Sequence, residues 1–394
     1  MDERVRFVGD VGRGDWTFAS LCEHYGISRK TGYKWLGRYE AEGPSGLTER
    51  SRRPLSCPHE TSGEMAAALC ELRRLHPTWG AKKLLKVLQR RRPKWTLPAR
   101  STACDLLRRA GLVPTQRRRR KLGHPGRPMS VMDQPNAVWT ADFKGEFKTR
   151  DGYYCYPLTV ADGYSRYLLA CQGLRTTAVR PSKVVFKRLF EEYGLPQIIR
   201  TDNGVPFATS ALARLSNLST WWIRLGISPE LIEPGRPSQN GRHERMHKTL
   251  KAEATRPPSG SLPAQQVRFN RFRREFNEDR PHEALEQETP SSCYQPSPRH
   301  LPRKLSPFDY PAHFEVRLVS TNGGLRWRCR RVNVTTTLIG EYVGLEEVGD
   351  GLWDVYFCHV RLGRLDERRM RIEDEPGRWV RGKKPRDVSP MSPD

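Results

Sequence analysis

The chain has 394 residues, enough for two to four domains with sizeable cores. Lys and Arg number 69 against 44 Asp and Glu, a net charge of +25, which argues against an ordinary enzyme of small metabolites and predicts a polyanionic partner, nucleic acid first. No apolar run is long enough to span a bilayer, no basic amphipathic anchor is evident, and Met1-Asp2-Glu3-Arg4 does not open a signal peptide, so no membrane partner and a cytoplasmic location are expected. Nine scattered cysteines without a C-x-x-C pair predict reduced thiols and no structural zinc module.

Residues 1–50 are expected to form a helix-turn-helix DNA-binding domain. Phe18, Leu21 and Cys22 mark a first helical stripe, Gly26 suits a left-handed turn, and Ser28 is a good N-cap for a second helix. That second helix would present Arg29, Lys30, Tyr33, Lys34 and Arg38 to DNA and bury Trp35, Leu36 and Tyr39. A plain helical hairpin has the same local pattern; the global charge favours DNA. A Pro, Gly and Arg-rich linker follows. Residues 59–112 predict three short helices with a basic last one carrying Arg100, Arg108 and Arg109, either a second DNA-binding domain or a helical spacer. Residues 113–134 read as a basic linker around the run Arg117 to Lys121.

Residues 135–283 change texture. Strands are expected at Ala137–Phe143, Tyr153–Asp162, Tyr167–Cys171, Gln197–Asp202 and Ile227–Ile232. Helices are expected at Val179–Tyr193 (Val184, Val185, Leu189 and Phe190 inward), Ala211–Leu225, from Pro237, and Gln265–Glu278. A meander followed by alternating helices and strands predicts a mixed-sheet α/β domain. Residues 284–312 are a Pro-rich linker expected to wrap the surface. Residues 313–375 predict a small all-β barrel of about five strands, with Leu325 to Val334 as one strand carrying Arg326, Arg328 and Arg330 on one face. Residues 376–394 form a basic tail expected to be disordered.

The chemistry gathers at Gln239-Asn240-Gly241-Arg242-His243-Glu244-Arg245-Met246-His247-Lys248-Thr249-Leu250-Lys251, which has two readings. His243-Glu244-x-x-His247 matches a zinc-protease signature, with the histidines as ligands and Glu244 as base. The extended form is missing, since Leu250 stands where glycine would be, and a protease explains none of the basic modules. In the second reading Glu244 shares a helical face, about 60° wide, with Lys248 and Lys251, which suits successive phosphates. Asp142 and Asp202 end two predicted strands. With Glu244 they would offer oxygen ligands to two Mg²⁺ or Mn²⁺ ions, for in-line displacement at phosphorus. His243 and His247 then pack or orient. Asp162 also ends a strand and is a rival carboxylate.

Trp139-Thr140-Ala141-Asp142-Phe143, Thr201-Asp202-Asn203-Gly204 and Asn240-Gly241-Arg242-His243-Glu244-Arg245, in this order, resemble the core of the DDE transposase and retroviral integrase superfamily. The likeness is strongest to bacterial insertion-sequence transposases with a helix-turn-helix before an integrase core, and covers nearly the whole chain. It implies a ribonuclease-H-like core with Asp142, Asp202 and Glu244 as catalytic metal ligands, and Lys248 and Lys251 beside the element's terminal DNA. It places Asp162 outside the ligand set and makes the C-terminal barrel similar to the small SH3-like barrel of integrases. The 42 positions from Asp202 to Glu244 exceed the usual integrase spacing, and the extra residues are expected within Ala208 to Leu225. The zinc-binding N-terminal domain of retroviral integrases is replaced by helix-turn-helix. The implied function is terminal-repeat binding, end cleavage and transfer of 3′-hydroxyl strands to target DNA, by a homo-oligomer that synapses two ends. The alternative is a DNA-binding regulator with an inactive core.

Overall fold

The computed structural model describes residues 2–51, 60–113 and 129–374; the run Arg117 to Lys121, Cys57 and the tail from 376 lie outside them. The chain divides into two compact units, Met1–Ser62 and Gly63–Asp394. No helix among the described residues is long and apolar enough to cross a membrane.

The first unit holds α1 (Asp2–Arg13), α2 (Phe18–His24) and α3 (Arg29–Glu42) around Phe7, Val8, Leu21, Cys22 and Leu47. α3 starts at the N-cap the sequence predicts, and α2 at one it did not single out. Thr17 caps α2 by accepting from the Ser20 amide, and Ser28 caps α3 by accepting from the Thr31 amide. Gly26 takes φ 62° in the turn between them. Gly32 is fixed by close approach: a Cβ there would lie 2.7 Å from Cys22 Sγ. The sequence reading missed α1, where Gly9 and Gly12 weaken the helical pattern. Tyr39 was expected inside and is exposed. Trp35 is only partly covered: the Arg4 guanidinium lies 4.0 Å over its ring, and Lys34 and Arg38 flank it.

The second unit opens with α4 (Gly63–Leu75), α5 (Ala81–Arg91) and α6 (Arg100–Arg109), packed through Leu69, Leu72, Trp79, Leu84, Leu88 and Leu107. The central sheet comprises β1 (Val138–Phe143), β2 (Phe147–Lys148), β3 (Tyr154–Asp162), β4 (Leu168–Leu174), β5 (Ile198–Thr201) and β6 (Ser228–Leu231). Its order is β4-β3-β1-β5-β6, with β2 on the start of β3. β3 pairs antiparallel with β1 and β4, while β1, β5 and β6 run parallel. Alternation decides the layers. Trp139 and Ala141 join the core under α7 (Val179–Tyr193) and α8 (Asn217–Arg224). On the other side Cys155, Cys171 and Ala161 meet α9 (Gly241–Ala254) and α10 (Leu262–Arg274) through Met246, Leu250 and Phe269. Val184 faces solvent rather than the core, because Val185, Phe186, Leu189 and Phe190 already fill the buried stripe of α7.

The long expected helix at 211–225 is shorter. A kink at Ala213, φ 51°, precedes α8, which Ser216 starts with a capping box. This stretch, where extra spacing was expected, has a packing role: Leu212, Leu215 and Ile223 enter the core of the C-terminal β domain. In the Pro-rich segment Arg299 donates to the carbonyls of Pro196, Leu225 and Gly226.

The C-terminal domain is all-β: β7 (Glu315–Leu318), β8 (Gly324–Trp327), β9 (Arg330–Asn333), β10 (Tyr342–Gly349), β11 (Leu352–Phe357), β12 (Val360–Asp366) and β13 (Arg371–Glu373). Among the described residues the strands make an open five-stranded path, β13-β12-β11-β10-β7, and a separate β8-β9 pair, so the hydrogen-bonded sheet does not close. The single strand expected at 325–334 is in fact this hairpin, reversed at Arg328 and Cys329 with φ 40° and 64°. Two non-glycine residues in left-handed conformation give no turn signal in sequence. The one-face stripe of Arg326, Arg328 and Arg330 is therefore not formed; Arg326 sits opposite Arg331, and Arg328 pairs with Glu367 at 2.9 Å.

Candidate active site

Asp142 stands near the end of β1, Asp202 follows β5, and Glu244 lies in the first turn of α9. Because β1 and β5 are parallel neighbours, both aspartates emerge at the same end of the sheet. The α9 face is as the helical angles predict: Glu244, Lys248 and Lys251 are exposed, while His243, Met246, His247 and Leu250 are buried.

Electrostatics link the three acids. Burial pushes the Asp142 carboxyl up to about 7, and the charge of Asp202, with a smaller contribution from Glu244, pushes the same way. Asp202 is also raised, by burial, against an opposing Gly204 amide 3.2 Å from its Oδ1. Among the described residues no group of three or more His, Cys, Asp or Glu side chains is spaced to hold a metal ion.

The histidines do not serve as zinc ligands. His243 has both nitrogens engaged, Nδ1 with Thr140 Oγ1 at 2.8 Å and Nε2 with Thr159 Oγ1 at 2.7 Å. His247 Nε2 lies 2.7 Å from the same Thr159 oxygen. Burial drives His243 down to about 3 and His247 to about 2, so both are neutral. Thr159 Oγ1 donates to the Asp142 carbonyl at 2.9 Å. The Thr159 hydroxyl thus joins the Asp142 carbonyl to both imidazoles, and the Thr140 hydroxyl joins His243 Nδ1 to the Ala161 carbonyl, 3.2 Å away. His247 Nδ1 then faces Asp142 Oδ2 at 3.6 Å, a contact and not a hydrogen bond. The residues that sequence reasoning missed are Thr140 and Thr159. The available signal was a hydroxyl at a buried position in each of two apolar strands.

Asp162 has both oxygens engaged. Its Oδ1 accepts from the Asn136 amide at 2.8 Å, and its Oδ2 from the amide and hydroxyl of Ser165 at 2.8 and 2.6 Å. On α3, Arg29, Lys30, Tyr33 and Lys34 are exposed and Arg38 is half-buried; Tyr33 stacks on Phe18 at 4.1 Å.

This is an integrase-type core accompanied by helix-turn-helix modules. Models of the integrase core domain match residues 132–237 and 225–290, a helix-turn-helix model 3–54, a homeodomain-like model 31–107, and the C-terminal domain of IS481 family transposases 314–373. By these matches the chain is similar to insertion-sequence transposases built on the integrase core. It is 26% identical over 242 residues to the insertion element IS407 uncharacterized 31.7 kDa protein of Burkholderia multivorans, covering 59% of this chain and 82% of that protein. It is 27% identical over 192 residues to the Gag-Pol polyprotein of baboon endogenous virus, covering 48% of this chain and 10% of the polyprotein. The chain thus spans about a tenth of the length of that viral relative. The HTLV-2 integrase catalytic core domain, solved in complex with magnesium, aligns with 16% identity and a TM-score of 0.33 over 41% of this chain and 98% of that domain.

Proposed function

We propose that the protein binds the terminal inverted repeats of its insertion sequence, cleaves the element ends and transfers the 3′-hydroxyl strands to target DNA. The carrying observation is that parallel β1 and β5 bring Asp142 and Asp202 out at one end of the sheet, where the charges of Asp202 and of Glu244 on α9 both act on Asp142. An all-oxygen donor set and like charges that repel without a counterion fit Mg²⁺ or Mn²⁺. Asp142, Asp202 and Glu244 would hold two such ions, which when bound supply activation of the attacking hydroxyl and stabilisation of the leaving oxygen. The chain's own groups do the rest. Lys248 and Lys251 hold phosphates beside Glu244. The Thr159 hydroxyl fixes the Asp142 backbone, and buried, neutral His247 covers one side of its carboxyl.

Arg29, Lys30, Tyr33, Lys34 and Arg38 on α3 read the repeats, and residues 59–112 form a second DNA-binding module. The C-terminal β domain, read as an SH3-like barrel, holds flanking or target DNA together with the basic tail. Synapsis of two ends requires a dimer or higher oligomer, acting on the DNA of a bacterial cytoplasm. The sequence-based boundaries (1–50, 59–112, 113–134, 135–283, 284–312, 313–375 and 376–394) are kept as the domain proposal.

The test is cleavage of terminal-repeat DNA with Mg²⁺ by wild type and Glu244→Gln. Wild type should cut, and Glu244→Gln should bind but not cut; chelation should silence wild type. Equal cutting by the two sinks the site assignment. Binding without cutting by either supports the inactive regulator.

A further inference from the structure

The face of α9 that carries Glu244 is flanked by another exposed face that the chemistry above leaves unused. Arg245 stands 100° around the helix from Glu244, and Arg242 about 160°. Both are exposed. The Arg242 and Arg166 guanidiniums converge on one oxygen, the Gly163 carbonyl, at 2.8 and 2.9 Å. Arg166 holds this place from a residue with φ 64°, in the turn closed by buried Asp162. The Arg245 guanidinium makes no hydrogen bond or ion pair among the described residues. Its charge reaches two other cations: it adds to the lowering of Arg166, which burial brings down to about 10, and of Lys83 on α5, which burial brings down to about 8.

The acids facing this row are already engaged. Asp162 spends both oxygens inside its turn. Glu253 accepts from Arg280 at 2.9 Å and from Thr78. Glu283 pairs with Lys82 at 3.6 Å. A protein gains no stability by gathering like charges without counterions, so the row calls for a polyanion from outside.

We infer that Arg242, Arg166, Arg245 and Lys83 form a second phosphate-binding track for duplex DNA, running from the start of α9 to α5 of the preceding helical module. It would hold the duplex body beside the helix whose other exposed face holds the reacting end. The inference rests on the proposed DNA function and adds a surface to it.

The test is the salt dependence of binding to a random-sequence DNA duplex, since phosphate contacts are sequence-independent. Each lost contact should lower the slope of log affinity against log salt by about 1. Arg245→Ala should therefore lower it by about 1, and Lys83→Gln with Arg245→Ala by about 2. Arg245→Lys should restore the wild-type slope. Arg245→Glu alters one exposed side chain and keeps the test open if the double variant fails to fold. An unchanged slope in Arg245→Glu overturns the track while leaving the DNA function standing. A wild type that binds no duplex overturns both.

Discussion

Asp142 and Asp162 lie on one antiparallel strand pair, β1 and β3, about 10 Å apart along the strands, since Asp142 faces Thr159 and Asp162 faces Trp139. Both are strand-end acids raised by burial. The Asp162 corner satisfies its carboxylate with three donors, and Asn136 in the same corner binds the Trp139 indole and the Tyr294 hydroxyl. The Asp142 corner spends the Thr159 hydroxyl on the backbone and gives the carboxyl one backbone donor, the Phe143 amide, and the Lys144 charge against burial and two other acids. The Asp162 carboxylate is satisfied within the chain, whereas like charges meet at Asp142. Donor supply, not burial, separates Asp162 from Asp142, the proposed catalytic acid.

The comparison breaks most visibly at Asp162. Asp162→Ala should orphan two backbone amides and one hydroxyl in a closed corner, costing on the order of 5 kcal/mol. Urea denaturation should show that loss, with cutting lost only as far as the protein unfolds. Asp162→Ala that folds normally yet cannot cut would make Asp162 catalytic and erase the distinction.

That distinction was only partly legible in sequence. The three acids and the lysine face of α9 followed from strand ends and helical angles, and the α3 cap from Ser28. Two of Asp162's donors are local, the amide and hydroxyl of Ser165, but the third, the Asn136 amide, lies 26 residues away and no local pattern carries it. The same holds for Thr159, whose partners His243 and His247 lie more than 80 residues downstream. The β8-β9 reversal was hidden for another reason: Arg328 and Cys329 take turn conformations that sequence assigns to Gly, Asn or Asp. The 211–225 stretch read as one helix because its apolar residues serve two cores, one under the sheet and one in the β domain.

A smaller effect sharpens the Asp142 side. Its carboxyl titrates from 3.8 unfolded to about 7 folded. The native state therefore binds the extra proton, and stability falls as pH rises through that window. Asp142→Asn removes the penalty. It should be more stable than wild type by roughly 3 kcal/mol at pH 8 without divalent ions, and nearly equal below pH 4. The neutral histidines contribute with the opposite sign between about 3 and 6.5, but they are common to both proteins and cancel in the difference. Mg²⁺ should close the gap at pH 8 by stabilising wild type alone. Wild type matching Asp142→Asn across the whole pH range, as measured by denaturant titration, would mean that Asp142 is not strained by its neighbours.

The smallest change tests how the Asp142 corner is held. Thr159→Val keeps the shape and removes the hydroxyl that joins the Asp142 carbonyl to both imidazoles. Two buried imidazole nitrogens then lose their hydrogen-bond partner, partly offset by the added methyl, for a net cost of about 2 kcal/mol. Thr159→Ser retains the hydroxyl and should recover most of that loss. If the network also orients the acid, Thr159→Val should lower the rate of cutting at saturating DNA and Mg²⁺, and Thr159→Ser should rescue it. A purely structural hydroxyl would cost stability and leave the rate of the folded fraction untouched. The two readouts together separate holding the fold from aiming the carboxylate, which the Asp162 corner, lacking any neighbouring acids to aim at, cannot do.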